Sequence, residues 1–159
     1  MIPVTNGMAE QLKCEYAAIS TATAGSTGDN TEVNGAALDV NGNYGSLKVA
    51  VVYTTTLTEA KTLTMKSMNL QTADDSSFTE NVADYGDAIT ADTLVATGGT
   101  SGSTHTGIFE MDFDLSAARR YVRVQYKPDL SHTSTDTASF AATYILAGAT
   151  EQPIGSKAN

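Results

Sequence analysis

The stretch from Gly107 to Lys127 constrains the fold more than any other part of the chain. Apolar residues occupy every second position over two runs, Phe109–Leu115 and Val122–Tyr126. A period of two is typical of extended strands that bury one face. The short Ser116–Ala118 link between the runs predicts a β-hairpin, which we place at the centre of a sheet.

The polar faces of these two predicted strands carry opposite charges. Glu110, Asp112 and Asp114 belong to the first strand, whereas Arg119 and Arg123 belong to the second. Cross-strand pairs of opposite charge stabilise a sheet by about 0.2–1 kcal/mol each. The sequence therefore predicts structural ion pairs among these five residues, which would fix the register of the hairpin.

Similar alternation recurs along the chain, between turn signals such as Asn34-Gly35. The runs with this pattern are Lys13–Ala22, Tyr44–Thr56 and Ala138–Gly148. Thr62–Leu70 suits either a strand or a short helix, and its neighbours favour a strand. The run Ala138–Gly148 has small or apolar residues on both faces, which indicates burial on two sides or a subunit contact. Pro128 predicts an end to the strand before it. The pattern as a whole predicts an all-β fold, a jelly-roll-like β-sandwich of eight or nine strands.

The two ends of the chain lack this alternation. The beginning contains Pro3 and Gly7, and the end contains Pro153 and Gly155. We therefore expect a flexible N-terminal arm over residues 1–11, a single sandwich domain over residues 12–149, and a flexible C-terminal tail over residues 150–159.

The charge balance argues against two classes of partner. The chain has 18 acidic and 9 basic residues and a net charge of −9, which opposes sequence-independent binding to nucleic acid or to an anionic membrane. The longest apolar run, Val49–Tyr53, is far shorter than the roughly 20 residues that span a bilayer. No secretory signal is recognisable, and the single Cys14 cannot form an intramolecular disulfide. We expect no nucleic-acid or membrane partner, and synthesis in a cytoplasm.

No set of residues has the spacing of a catalytic or cofactor site. Asp74 and Asp75 resemble half of a calcium loop, but the remaining acidic positions of that loop are missing. His105 and His132 lie in polar segments without a second metal ligand at suitable spacing. Neither G-x-S-x-G nor a phosphate-binding glycine loop occurs. We therefore expect a protein that is not an enzyme and has no cofactor, and a bound divalent ion stays an open question.

The run DLSAARRYVRV, from Asp114 to Val124, resembles a stretch in small virion proteins of tailed bacteriophages. In those proteins it precedes a strand that closes in L-x-G-A, as at Leu146–Ala149, and a short tail with a proline. G-x-A-L-D-V at Gly35–Val40 and D-S-S-F at Asp75–Phe78 also fit. The resemblance covers about residues 28–155 and identifies the chain with capsid decoration proteins, also called cement or head-stabilising proteins.

That resemblance implies a function and a location. It implies a β-sandwich that binds the major capsid protein on the outside of an assembled capsid, as a homo-oligomer and preferentially as a trimer. The candidate partner-contact residues are Tyr121, Lys127, Phe140 and Tyr144.

Two alternatives stay open. The R-Y-V-R strand also resembles one in discoidin-type β-sandwiches, which bind sugars or lipid head groups through their loops. This chain lacks the tryptophan and the bracketing cysteine pair of that family. A carbohydrate-binding module is therefore the second interpretation. Another virion component, such as a head-fibre or tail protein, is the third.

Overall fold

The computed structural model describes residues 11–41, 43–131 and 135–149. This part of the chain forms ten strands. They are β1 (Lys13–Thr23), β2 (Val33–Asn34), β3 (Leu38–Asp39), β4 (Ser46–Leu57), β5 (Thr62–Ala73), β6 (Ala83–Ile89), β7 (Thr93–Thr97), β8 (Ser103–Asp114), β9 (Tyr121–Leu130) and β10 (Thr137–Ala147). Residues 1–10 of the predicted arm and all of the predicted tail lie outside the described residues.

The strands form two antiparallel sheets. The four-stranded sheet has the order β1-β10-β4-β8. In the six-stranded sheet β2 and β3 both pair with β9, β9 pairs with β5, and β5 pairs with both β6 and β7. If β2 and β3 count as one interrupted strand, and β6 and β7 as another, this is the eight-strand order of a jelly roll. The predicted all-β jelly-roll sandwich is confirmed, and the two interruptions raise the count to ten strands.

The core lies between the inner faces of the two sheets, where apolar residues alternate with outward-facing ones. Val49 and Val51 of the four-stranded sheet and Leu63 and Leu70 of the six-stranded sheet are fully buried. Each such side chain stabilises the fold by roughly 1.5–3 kcal/mol through burial. Because apolar and polar residues alternate in this way, the strands can be predicted from the sequence.

The stretch from Gly107 to Lys127 does not form the predicted hairpin. β8 pairs with β4 in one sheet, whereas β9 pairs with β5, β2 and β3 in the other. The backbone N–H of Leu115 bonds Gly45 on one sheet, and that of Arg119 bonds the Thr72 hydroxyl on the other. The link therefore crosses the sandwich, so both apolar faces point into one core from opposite sides.

The predicted ion pairs across that hairpin are consequently wrong for its acidic strand. Lys48 of the neighbouring β4 lies 2.9 Å from Asp112 and 3.7 Å from Glu110. Asp114 accepts a hydrogen bond from the backbone N–H of Ser116 at 2.8 Å. The acidic side chains follow the register of β4 and β8, which the sequence pattern did not reveal.

The two arginines also have other partners. Arg119 pairs with Asp74 at 2.9 Å. Arg123 donates to the side-chain oxygen of Gln71 at 2.8 and 3.0 Å, and its guanidinium lies 4.2 Å from the ring centroid of Phe78. These contacts join β9 and the link before it to β5 and the turn that follows β5, so the arginines stabilise that sheet instead of a hairpin.

The Tyr144 hydroxyl bridges the break between β2 and β3. Tyr144 belongs to β10, and its side chain crosses the core to the opposite sheet. Its hydroxyl accepts a hydrogen bond from Val124 N–H and donates one to the carbonyl oxygen of Ala36, each at 2.9 Å. A Cβ on Gly35 would lie 2.9 Å from this hydroxyl and 2.8 Å from a Val124 methyl. Only glycine therefore fits beside the tyrosine.

Replacing Tyr144 with phenylalanine should lower the free energy of unfolding by about 1–3 kcal/mol, because a buried donor and a buried acceptor lose their partner. Urea denaturation would measure the change. Tyr53→Phe is the matched control, since the Tyr53 hydroxyl has no hydrogen bond to the described residues, and it should change stability by less than about 0.5 kcal/mol. Equal losses in both variants would contradict the bridging role.

Ionisation of Tyr144 should also make the folded protein less stable in alkaline solution. Burial raises the pKa of Tyr144 to about 12, whereas an unfolded tyrosine ionises near pH ~10. Between these values the unfolded chain releases a proton that the folded chain keeps, so stability falls as pH rises, by up to about 1.4 kcal/mol per pH unit. Urea denaturation at about pH 9 and about pH 11 should give a smaller decline for Tyr144→Phe than for the wild type. Equal declines would contradict this account.

Candidate functional site

An exposed apolar row crosses the whole outer face of the four-stranded sheet. Ile19 lies opposite Ala141, Ala141 opposite Val52, and Val52 opposite Ile108. Ile19 is 72% exposed, Val52 51% and Ile108 53%. Single exposed apolar residues are ordinary, but here the register aligns them across four strands. We name these four residues the apolar row.

Two rows of hydroxyl side chains lie beside the apolar row. One consists of Thr21, Ser139, Thr54 and Thr106, and the other of Thr23, Thr137, Thr56 and Thr104. Thr56 and Thr104 share a hydrogen bond of 3.2 Å. Threonine suits strand positions because its branched side chain packs well on a pleated surface. This half of the face is therefore uncharged and consists of short side chains.

Charge is confined to the other end of the face. Lys48 lies there between Glu110 and Asp112, and its hydrogen bond to Asp112 raises the pKa of Lys48. An open depression of about 750 Å³ adjoins this group, and Leu12 and Ile145 also line it. The face thus combines an uncharged area with one charged corner.

The outer face of the six-stranded sheet has a different character. Its amide side chains bond one another and nearby carboxylates. Asn69 donates to Asp84 at 2.7 Å, and Gln125 donates to Glu32 at 3.0 Å and also to Asn34. Because these groups already satisfy one another, the network stabilises the sheet and leaves few free donors for a ligand.

The four predicted partner-contact residues divide into two pairs. Tyr121 and Lys127 are partly exposed on the six-stranded sheet, and the Arg120 guanidinium lies 5.1 Å from the Tyr121 ring centroid. Phe140 is 2% exposed and Tyr144 is completely buried. The prediction for this second pair is wrong because both side chains point into the core. The side of β10 that faces outward carries the smaller residues that alternate with them.

The two adjacent aspartates act in the turn after β5. Asp75 accepts hydrogen bonds from the backbone N–H groups of Glu80, Thr79 and Ser77, and these bonds lower the pKa of Asp75, with that from Glu80 the largest cause. The hydrogen bond from the Arg119 side chain is the main cause of the lowered pKa of Asp74. Both carboxylates are therefore engaged in local structure.

His105 is the histidine that the structure describes, and its hydrogen-bond partner is a hydroxyl group. His105 shares a hydrogen bond of 2.7 Å with the Ser103 hydroxyl at the start of β8, and His132 lies outside the described residues. Within residues 11–41, 43–131 and 135–149, no group of three or more His, Cys, Asp or Glu side chains has the arrangement of a metal site. The same ranges contain no helix with the length and hydropathy of a transmembrane span.

Comparison with known proteins gives structural similarities alone. No protein family model matches the chain, and no curated protein matches it. One similar solved structure is that of infectious bursal disease virus, Gx strain. The match has a TM-score of 0.45 and 12% sequence identity, and it covers 90% of this chain and 33% of the chain in that structure. The xylanase 10B modules of Clostridium thermocellum, complexed with xylohexaose, have a TM-score of 0.35 and 8% identity over 90% of this chain and 27% of that chain.

A third similar structure is turnip yellow mosaic virus, with a TM-score of 0.27 and 9% identity over 100% of this chain and 90% of that chain. This chain spans about a third or less of the first two structures. At these TM-scores the similarities carry no argument about function, so the function has to be argued from the surfaces described above.

Replacing Asp75 with alanine should lower the melting temperature at neutral pH, because three backbone N–H groups lose their acceptor. A carboxylate with a lowered folded pKa stabilises the fold above its ordinary pKa of 3.8, and this contribution is lost as pH falls through the folded value. The deficit measured by thermal melts should therefore shrink in acid. Ser76→Ala in the same turn is the control, and a deficit independent of pH would contradict the role of the charge.

Proposed function

We propose that the protein is a non-enzymatic structural component of a virion, which binds the outer surface of a bacteriophage capsid and stabilises it as a decoration or cement protein. The observation that carries this proposal is the outer face of the four-stranded sheet, with its apolar row and its hydroxyl rows. The uncharged area of this face can be buried against another protein without desolvating a charge, which would be costly.

The partner in this proposal is the major capsid protein, and the location is the capsid exterior. Burying the exposed part of Ile19, Val52 or Ile108 contributes on the order of 1 kcal/mol each. A capsid repeats its binding sites many times, so an oligomer that engages several sites gains affinity through effective concentration. Weak individual contacts are therefore sufficient. The bacteriophage resemblance supports this partner and predicts a trimer, with Tyr121 and Lys127 as additional contacts.

A carbohydrate-binding module is the second candidate function. The observation that favours it is the six-stranded sheet, whose outer face presents amides and carboxylates beside the partly exposed Tyr121 ring. Aromatic rings with adjacent hydrogen-bonding groups are suitable for sugars, because a ring can cover the apolar face of a sugar. It ranks second because Asn69, Gln125 and their neighbours already bond one another. A head-fibre or tail protein is a third role that the same surfaces would suit.

Mixing the purified protein with undecorated heads of the phage that encodes it should give saturable, stoichiometric co-sedimentation and heads that resist heat better. Val52→Glu should weaken this binding at least about tenfold, because a charge would be buried in the middle of the apolar row. Val82→Glu is the matched control, since Val82 is also exposed but lies off this face, and it should bind as the wild type does.

Absence of co-sedimentation would reject the capsid proposal, and equal loss in both variants would reject the assignment of the face. A glycan array tests the second candidate in parallel. Specific glycan binding that is lost in Tyr121→Ala and kept in Val52→Glu would favour the carbohydrate-binding role.

A further inference from the structure

The two edges of the four-stranded sheet differ in how they are covered. The edge of β1 is bonded to its own chain: the Ala17 carbonyl accepts from Ala36 N–H at 2.7 Å, and Ile19 N–H donates to the Tyr16 hydroxyl at 3.1 Å. At the end of the strand, Thr23 N–H donates to the carbonyl oxygen of Thr27 in the following turn at 3.0 Å. These bonds use several of the edge groups that another strand would need, which protects β1 against strand addition.

The six-stranded sheet protects its edges in another way. β2 and β3 have two residues each, and the opposite edge is divided between β6 and β7. Short edge strands are poor templates for pairing. β8 has 12 residues, and β4 is its sole strand partner among the described residues. β8 is therefore the one long free edge in the described part of the sandwich.

The register shows which backbone groups of β8 face outward. Leu115 N–H, just after the strand, bonds Gly45 on the β4 side. Because the direction alternates along a strand and no irregularity interrupts the β4–β8 pairing, Thr106, Ile108 and Glu110 direct their N–H and C=O groups away from β4. The bond from the Tyr85 hydroxyl to the Asp114 carbonyl agrees with this parity and covers that end of the edge.

We propose that β8 pairs in antiparallel fashion with β8 of a second copy of this chain, about a two-fold axis at Ile108. In this register Ile108 faces Ile108 of the second copy, and Thr106 faces Glu110. Thr104 then faces Asp112. All of these are hydrogen-bonded pairs, because each residue directs its backbone groups outward. An interface of this kind closes on itself as a dimer.

The charges on β8 select this orientation. Glu110, Asp112 and Asp114 occupy one half of the strand, and the other half carries Thr104 and Thr106. Parallel pairing in register would place carboxylates opposite carboxylates, which is destabilising. Antiparallel pairing places the acidic half of each strand beside the threonine half of the other. The sequence of β8 is thus complementary to itself only in the antiparallel sense.

The inner face of β8 supports the same pairing. Phe109 and Met111 point toward the core but are only partly buried, because the sandwich has no strand beyond β8 among the described residues. In the proposed register Phe109 lies directly across from Gly107 of the second copy, and the Tyr53 ring of that copy lies over this glycine, so the two aromatic rings would be close neighbours. The pairing would cover apolar surface that the single chain leaves exposed.

A dimer of this kind would extend the face proposed for capsid binding. Ile108 ends the apolar row at β8, and the row of the second copy would begin directly opposite. The result is one eight-stranded sheet with a continuous apolar row. The dimer needs no capsid, so its tests are independent of the proposed function, and it differs from the trimer that the resemblance predicts.

Sedimentation velocity on the full chain tests the pairing and its sense. The wild type should form a concentration-dependent dimer. Thr106→Glu should raise the dissociation constant at least about tenfold, because the introduced carboxylate would face Glu110 at two places related by the two-fold axis. Thr106→Lys should lower it several-fold. Both changes lie on an exposed position, and thermal melts would verify that each variant folds. A monomer at all concentrations, a trimer, or the same response to both charges would overturn the proposal.

Cross-linking tests the register. In a Cys14→Ser background, Ile108→Cys should be linked to its counterpart by a short bismaleimide, since facing Cα atoms lie about 5.5 Å apart in such pairs. Thr104→Cys is the matched control, because its two copies would lie about eight residues, or about 27 Å, apart along the strands. Linking through position 104, or through neither position in a protein that is dimeric, would overturn the register.

Discussion

The hydrogen bonds of the Tyr144 hydroxyl connect the two facing sheets across the core. A jelly roll needs a strand beside β9, yet the chain supplies this strand in two short pieces, β2 and β3, with a break at Gly35. Tyr144 reaches across the core from the opposite sheet and bonds Val124 and Ala36 at the break. At the same place the irregularity in β1 directs the Ala17 carbonyl to Ala36 N–H. The four-stranded sheet is thereby tied to the interrupted strand at two points. The energetic consequence is that a few buried polar bonds replace the backbone pairs that a continuous strand would have made.

The alternation in the sequence was sufficient to predict most of the strands and the all-β class, because burial on one face leaves a period of two wherever the partner strand lies. The identity of that partner leaves no such trace. Phe109–Leu115 and Val122–Tyr126 would show the same pattern in a hairpin as in two opposed sheets, and this ambiguity led to the wrong hairpin and the wrong ion pairs. The predicted end of the strand before Pro128 is also wrong. The strand continues to Leu130 because Pro128 lies at an irregularity opposite Met65, where the missing N–H is tolerated.

The face that we propose for partner contact was harder to predict than the core. Val52, Ile19 and Ile108 each stand at a solvent-facing position of a different strand, and none of them is unusual by itself. They become a surface only through pairings with long sequence separations, which no local pattern contains. Phe140 and Tyr144 are large aromatic residues, and large apolar surface favours burial in the core. The small residues that alternate with them on β10 were the more useful signal, since a strand that is small on its outer side leaves room for another surface.

The placement of charge explains how an apolar row can stay exposed on the outside of a β-sandwich. The net charge of −9 makes copies repel one another in most orientations, and the carboxylates at the end of β8 concentrate that repulsion beside the row. Contacts are then favourable only where a partner brings no acidic group opposite Glu110 and Asp112. The hydroxyl rows meet this condition, because threonine side chains can lie beside carboxylates without repulsion. Specificity for a partner therefore arises from where the charges are placed, and affinity arises from the uncharged surface between them.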